Sequence, residues 1–246
     1  MTAGRTQRQD ESSSSWRFRA LACDYDGTIA TDGRVDPSVQ DALDQFRRSG
    51  RELLLATGRT LEDLRSVFPG VRLFSRLVLE NGAVVLDPGT GTVEELAPRP
   101  PEEFILRLRR RGVSPLHAGR VIVASREPHG TVIGETIREL GLDLHLEFNR
   151  ESIMVLPTGV TKASGLEAAL RQVHVPWEQL VGVGDAQNDE SFLKRCGLSV
   201  AVANALPAVK SSVDVVTRLA EGAGVAELVG RLLSGELAGV PKEMKS

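Results

Sequence analysis

Three apolar runs in this chain end alike. Residues 19–23 (RALAC), Glu52–Ala56 and Leu180–Val183 are short and uninterrupted, and each runs directly into a polar cluster. The clusters are Asp24-Tyr25-Asp26-Gly27-Thr28, Thr57-Gly58-Arg59 and Gly184-Asp185-Ala186-Gln187-Asn188-Asp189. Helical patterns separate the runs. Asp36-Pro37 sets an N-cap residue before a proline at the first helical position, and Val39, Ala42, Leu43 and Phe46 follow at helical spacing up to Gly50. Thr60 caps a second helix with Leu61, Leu64 and Phe68 inward, and Leu77–Leu79 makes another strand. After residue 160 the alternation resumes, with helices predicted over 162–173, 189–196 and 225–233 and strands over 180–183, 199–202 and 213–217. Apolar strands alternating with helices imply parallel βαβ units covered on both faces, an α/β, Rossmann-like sheet.

Residues 83–158 have a different texture. Ala83–Leu86 and Thr92–Leu96 flank Asp87-Pro88-Gly89-Thr90-Gly91 and read as a hairpin. A basic helix (102–111), a strand (120–125), a helix (129–140) and two strands (144–148, 152–156) follow. The expected organisation is a main domain from 17–82 and 159–234 with a small α/β unit inserted at 83–158. The first 16 residues read as a disordered tail, since residues 1–15 have no apolar stretch to bury or to serve as a signal peptide, and 235–246 as a second loose end.

In an open parallel sheet the strand C-termini share one edge, so the clusters converge there. Lys162 joins them from the start of the helix returning from the insert. Four carboxylates (Asp24, Asp26, Asp185, Asp189) and one lysine then share a small space, and their repulsion calls for a hard divalent cation, Mg2+ being suited to oxygen-only sites. A cation among acids in turn implies an anionic substrate. Asp24 can attack phosphorus to form an aspartyl-phosphate, and Asp26 can act as general acid and base. Thr57, with the backbone N–H groups that follow it from Gly58, and Lys162 are the groups available to hold phosphoryl oxygens. A net charge of −3 with interspersed signs shows no basic face for nucleic acid. Two cysteines fit a cytoplasmic, disulfide-free protein, and no apolar run is long enough to span a bilayer.

Asp24-x-Asp26-Gly27-Thr28, Thr57-Gly58-Arg59, Lys162 and Gly184-Asp185-x-x-Asn188-Asp189, in that order, resemble the four motifs of the haloacid dehalogenase (HAD) superfamily. An insert between the second and third motifs, after Glu80-Asn81-Gly82-Ala83, resembles the C2B cap branch (subclass IIB), which includes Cof-type, sucrose-phosphate and archaeal phosphoglycolate phosphatases. The resemblance implies a phosphatase acting on a small phosphorylated metabolite, as a monomer or homodimer. It implies Mg2+ held by Asp24, the Asp26 backbone carbonyl and Asp185, with Asp189 a ligand or the partner of one, and a phosphate met by Asn188, Thr57 and Lys162. Ala186-Gln187 departs from the residues usual in that loop.

Other readings stay open on the residues alone. Asp-Gly is also a common turn signal, Asp189 suits the first turn of a helix, and Arg59 either reaches substrate or braces its loop. A receiver domain also phosphorylates an aspartate, yet it is about half this length and lacks an acid two residues on. A HAD-type sugar-phosphate mutase carries a different second motif, and a catalytically idle binding module would not need four intact acid motifs. The four histidines have no spacing suited to a metal.

Overall fold

The computed structural model describes residues 16–149 and 151–240. Strand β1 (Ala20–Asp24) leads to helix α1 (Pro37–Arg48), β2 (Glu52–Ala56), α2 (Leu61–Val67) and β3 (Arg76–Leu79). Next come β4 (Val84–Leu86), β5 (Val93–Glu95), α3 (Glu102–Arg110), β6 (His117–Ala118), β7 (Val123–Arg126), α4 (Gly130–Glu139), β8 (Leu144–Asn149) and β9 (Ser152–Pro157). The chain closes through α5 (Lys162–Val173), β10 (Leu180–Gly184), α6 (Glu190–Leu193), β11 (Leu198–Ala201), α7 (Pro207–Ser212), β12 (Val215–Val216) and α8 (Glu221–Leu233).

The larger sheet has the order β12-β11-β10-β1-β2-β3-β4-β5. Its strands from β12 to β3 pair in parallel, and β1 and β10 lie side by side in register from Ala20↔Leu180 to Cys23↔Val183. From β1 the chain winds outward on one side through β2 and β3 and on the other through β10 to β12, so the switch of strand order falls at β1 and β10. All five residues of β1 are buried, as the uninterrupted apolar strands of a doubly covered sheet require. Helices α1, α2 and α5 start where the sequence indicates, whereas α8 begins four residues before the expected 225 and α7 was not expected. The Asp36 carboxylate accepts from Ser38 N–H, Thr60 Oγ1 accepts from Asp63 N–H, and Thr161 with Ser164 forms a reciprocal cap on α5.

The smaller sheet is antiparallel, in the order β6-β7-β9-β8. One face packs on α3 and α4 around a separate apolar cluster that includes Phe104, Leu108, Ile133, Ile153 and Val155. The hairpin expected within this unit belongs elsewhere: β4 pairs antiparallel with β3 and extends the larger sheet. Val84, Val85 and Leu86 are buried there, and on this side an unpaired β3 would leave an apolar edge open. Strand β7 starts later than expected because the N–H groups of Arg120, Val121 and Ile122 donate to the buried Glu80 carboxylate (2.9, 2.9 and 3.0 Å) instead of to a neighbouring strand.

The ends also differ from the expectation. Residues 235–240 are not loose: Leu237 is buried, Glu236–Gly239 form a 3-10 turn, and Arg17 Nη1 donates to the carbonyls of Ala238 and Val240 (2.8 and 2.6 Å). Trp16, placed in the tail by its sequence, carries the Arg51 guanidinium 4.3 Å from its ring centre. The rest of the N-terminal tail, 1–15, and residues 241–246 lie outside the described residues.

Candidate active site

Asp24 is the last residue of β1, so its side chain emerges at the strand end while Cys23 points to the opposite face, buried, with its thiol pKa raised by that burial. Thr57 follows β2, Asp185 follows β10, and Asn188 and Asp189 sit on the 3-10 turn Gln187–Asp189. Lys162 arrives from the side. The turn Glu80–Gly82 has positive φ at all three residues, and α5 begins directly against it. A Cβ on Gly82 would lie 1.8 Å from the Thr161 carbonyl oxygen, and one on Gly165 would lie 2.6 Å from Gly82 Cα. This close approach of backbones brings the first residue of α5 into the acid cluster, and Lys162 is 1% exposed.

Lys162 Nζ donates to Asp24 Oδ1 at 2.6 Å and to Asp189 Oδ1 at 2.7 Å. Asp189 Oδ2 accepts from the N–H groups of Asp185 and Ala186 (2.9 and 3.0 Å), which closes the loop after β10 over the acid. A Cβ on Gly184 would meet the Asp189 carboxylate at 2.5 Å, so a glycine is needed there. Thr28 Oγ1 donates to Asp185 Oδ1 at 3.3 Å. One ammonium does not neutralise three carboxylates. Burial, with the charges of Asp189 and Asp185, pushes the Asp24 pKa up to about 8 although Lys162 pulls it down. Burial opposes the Lys162 charge as well, but Asp189 and Asp24 outweigh it and hold that pKa above the ordinary lysine value.

This donor set fits a hard divalent cation. One oxygen each from Asp24, Asp185 and Asp189 lie within 4.8 Å of one another, all three residues being buried. Asn188 Oδ1 is buried beside them with no hydrogen-bond partner among the described residues. An oxygen-only cluster short of positive charge, with an orphaned acceptor at its rim, is what a partly hydrated cation would satisfy.

The remaining expected residues divide. Thr57 is buried at the edge, its Oγ1 accepting from Arg59 N–H at 3.1 Å and its carbonyl from Asn81 N–H at 2.9 Å. Gly58 lies under the smaller sheet, where a Cβ would come within 3.0 Å of Met154 Sδ. Asp26 does not join the acid cluster with its side chain. Arg59 grips its carboxylate through Nε and Nη2 (2.8 Å each) and binds Asp63 through Nη1 (2.6 Å). The sequence leaves Arg59 open between substrate and brace; here it braces Asp26. Two residues to which the sequence reading gave no role also meet at the site. Asn81 Oδ1 accepts from Asn188 Nδ2 at 3.3 Å, and Asn81 Nδ2 donates to the Glu147 carboxylate on β8. The Glu80-Asn81-Gly82 turn pointed to the region, but nothing local marks Glu147 apart from a charged residue in mid-strand.

A sheet with its switch point at β1 and β10, carrying a lysine-bridged aspartate cluster on its C-terminal edge, defines a class. The family model described as haloacid dehalogenase-like hydrolase matches residues 21–105 and 126–229, and the chain belongs to that family. It is a hydrolase of the HAD phosphatase kind. A phosphoglycolate phosphatase of Methanopyrus kandleri is 32% identical over 85% of this chain and 95% of its own length. A 5-amino-6-(5-phospho-D-ribitylamino)uracil phosphatase of Bacillus subtilis is 26% identical over 86% and 94%. Among solved structures, a HAD subclass IIB sugar phosphatase has the same fold, with a TM-score of 0.67 at 19% identity, covering 90% of this chain and 99% of its own. No helix among the described residues is long and apolar enough to cross a membrane.

Proposed function

We propose that the protein is a Mg2+-dependent phosphatase that hydrolyses a small phosphorylated metabolite through an aspartyl-phosphate on Asp24. The observation that carries this reading is the buried pair of Lys162 with Asp24 and Asp189, set beside Asp185 with too little positive charge. Asp24, the Asp26 backbone carbonyl and Asp185 would hold the ion, with Asp189 a ligand or the residue that shapes the loop around it. Bound there, the ion supplies the charge that keeps Asp24 ionised at neutral pH and draws in a phosphate dianion.

An Asp24 oxygen then forms a bond to phosphorus as the bond to the ester oxygen breaks, and that oxygen takes a proton from Asp26. Water next gives its proton to Asp26 and attacks phosphorus, the Asp24–phosphorus bond breaks, and inorganic phosphate leaves. Lys162 and the N–H groups after Thr57 hold the phosphoryl oxygens where charge spreads. Arg59 holds the Asp26 carboxylate through two hydrogen bonds, so Asp26 must leave Arg59 before it serves as the acid. The smaller sheet with α3 and α4 acts as a cap: Met154 sits over Gly58, and Asn81 bonds to Glu147 across the gap.

Two isosteric substitutions test this. Asp24→Asn removes the attacking charge, and turnover of an aryl phosphate should vanish. Asp26→Asn keeps the nucleophile and the carbonyl and removes the proton shuttle, with a loss of about 10²–10⁴-fold. An aryl leaving group scarcely needs a proton, so a labelled phospho-enzyme should build up in Asp26→Asn and map to Asp24. Label on a serine, threonine or histidine, or near-normal turnover in Asp24→Asn, would overturn the mechanism.

A further inference from the structure

Among the described residues, the cap sets a carboxylate on the sheet face turned to the site. Residues directly opposite in an antiparallel sheet share a face, and β8, β9 and β7 set Glu147, Met154 and Ala124 in one row. The alternate residues Val123, Ile153 and Val155 belong to the apolar cluster under α3 and α4, so the Glu147 row is the face turned to the larger sheet. Met154 confirms the direction, since its sulfur lies above Gly58. Glu147 is half-buried and bonds to Asn81, which in turn holds Asn188 at the acid cluster. The row is therefore a carboxylate, a thioether and a methyl group, and it ends at the sheet edge on the exposed His117 of β6, opposite Ala124. Among the described residues, Arg126 stands one row to one side, opposite Ser152, and His145 one row to the other, opposite Leu156, each roughly 7 Å along the strand.

We infer that Glu147 selects the leaving group: the substrate is a phosphate ester whose alcohol part carries hydroxyl groups, as in a polyol or sugar phosphate, and not one that ends in a carboxylate. This rests on the phosphatase reading above. A phosphoryl group placed against Asp24 and Lys162 leaves its alcohol part facing the cap, where Glu147 is the carboxylate of the row that meets the Asn81–Asn188 pair. A carboxylate has no hydrogen to donate and accepts at up to four lone-pair positions, of which Asn81 uses one. A substrate hydroxyl can donate to the rest, whereas a substrate carboxylate can only repel. Burial raises the Glu147 pKa, and Lys162 and Asn81 only partly offset that, so donors from the substrate would relieve an under-compensated charge.

The test uses the full-length protein with Mg2+ and three esters: an aryl phosphate, a pentitol 5-phosphate and 2-phosphoglycolate. The readout is the ratio of kcat/KM for the pentitol ester to that for 2-phosphoglycolate, with the aryl ester reporting whether the chemistry works in each protein. The unaltered protein should favour the pentitol ester by at least tenfold. Glu147→Gln keeps the size and the bond from Asn81 and removes the charge, and it should lower the ratio about tenfold or more, the scale of one charge contact at intermediate dielectric. Glu147→Ala should lower it likewise, and Arg126→Gln should leave it unmoved. A preference for 2-phosphoglycolate that Arg126→Gln abolishes, or a ratio that Glu147→Gln does not move while the aryl ester is hydrolysed, overturns the inference. No hydrolysis of any ester by the unaltered protein would instead overturn the phosphatase reading on which it rests.

Discussion

Replacing Lys162 by Met should reveal how much the acid cluster depends on one ammonium. Methionine nearly matches the buried length of lysine, so the substitution removes charge more than volume. In its absence Asp24 and Asp189 lose contacts of 2.6 and 2.7 Å, and Asp185 remains close by. Removing one partner of a buried pair costs roughly 3–5 kcal/mol because the other charge is left uncompensated. For a chain of this length that corresponds to a fall in Tm of about 6–20 °C. The loss must depend on pH. Lys162 lowers the Asp24 pKa, so in the Met variant Asp24 keeps its proton to higher pH than in the natural protein, where that pKa is already about 8. Near pH 5 Asp24 carries a proton in both proteins and the variant loses chiefly the Asp189 contact; near pH 9 it must carry the Asp24 charge as well and loses most. Urea unfolding at pH 5, 7 and 9 in chelator measures this directly, and added Mg2+ should recover part of the loss at high pH. Turnover should fall by about 10²–10³-fold, the scale of one missing donor to transition-state charge. A stability loss under about 1 kcal/mol at pH 9, or one that is equal at all three values, would refute the account.

The natural protein in chelator should itself grow less stable as pH rises from about 4 to about 8. Across that window folded Asp24 keeps a proton that the unfolded chain, with a pKa near 3.8, has released, and above about 8 this contribution levels off. Saturating Mg2+ and Asp24→Asn should each flatten the slope; an unchanged slope in both would remove Asp24 as its source. Gly82→Ala should lower stability by more than 2 kcal/mol in thermal unfolding, since its Cβ would stand 1.8 Å from the Thr161 carbonyl at a φ of +105°. A neutral result would mean that α5 does not need to sit against this turn.

Much of this protein is written locally in its sequence. The apolar runs 19–23, 52–56 and 180–183 became β1, β2 and β10 almost residue for residue, because a strand covered on both faces has nowhere to place a polar side chain. Asp36, Thr60 and Thr161 cap their helices through bonds that span two or three residues, a range within which sequence and structure carry the same information. Part of the acid cluster was legible for a related reason: parallel strands bring their C-terminal ends to one edge whatever the details of packing, so Asp24 and Asp185 had to meet. What required the tertiary structure is every choice between partners distant along the chain. Asp26 reads as a member of the cluster, yet its carboxylate goes to Arg59, 33 residues away, because the turn after β1 faces the loop after β2. The hairpin 84–95 reads as part of the insert, yet it joins the larger sheet because the edge of β3 was open to it. Asn81 meets Glu147 across 66 residues and Asn188 across 107. No periodicity or capping rule encodes such a meeting. It follows from how the smaller sheet is set on the larger one, which is fixed by the packing of both units together, including the buried Glu80 carboxylate and the backbone it holds.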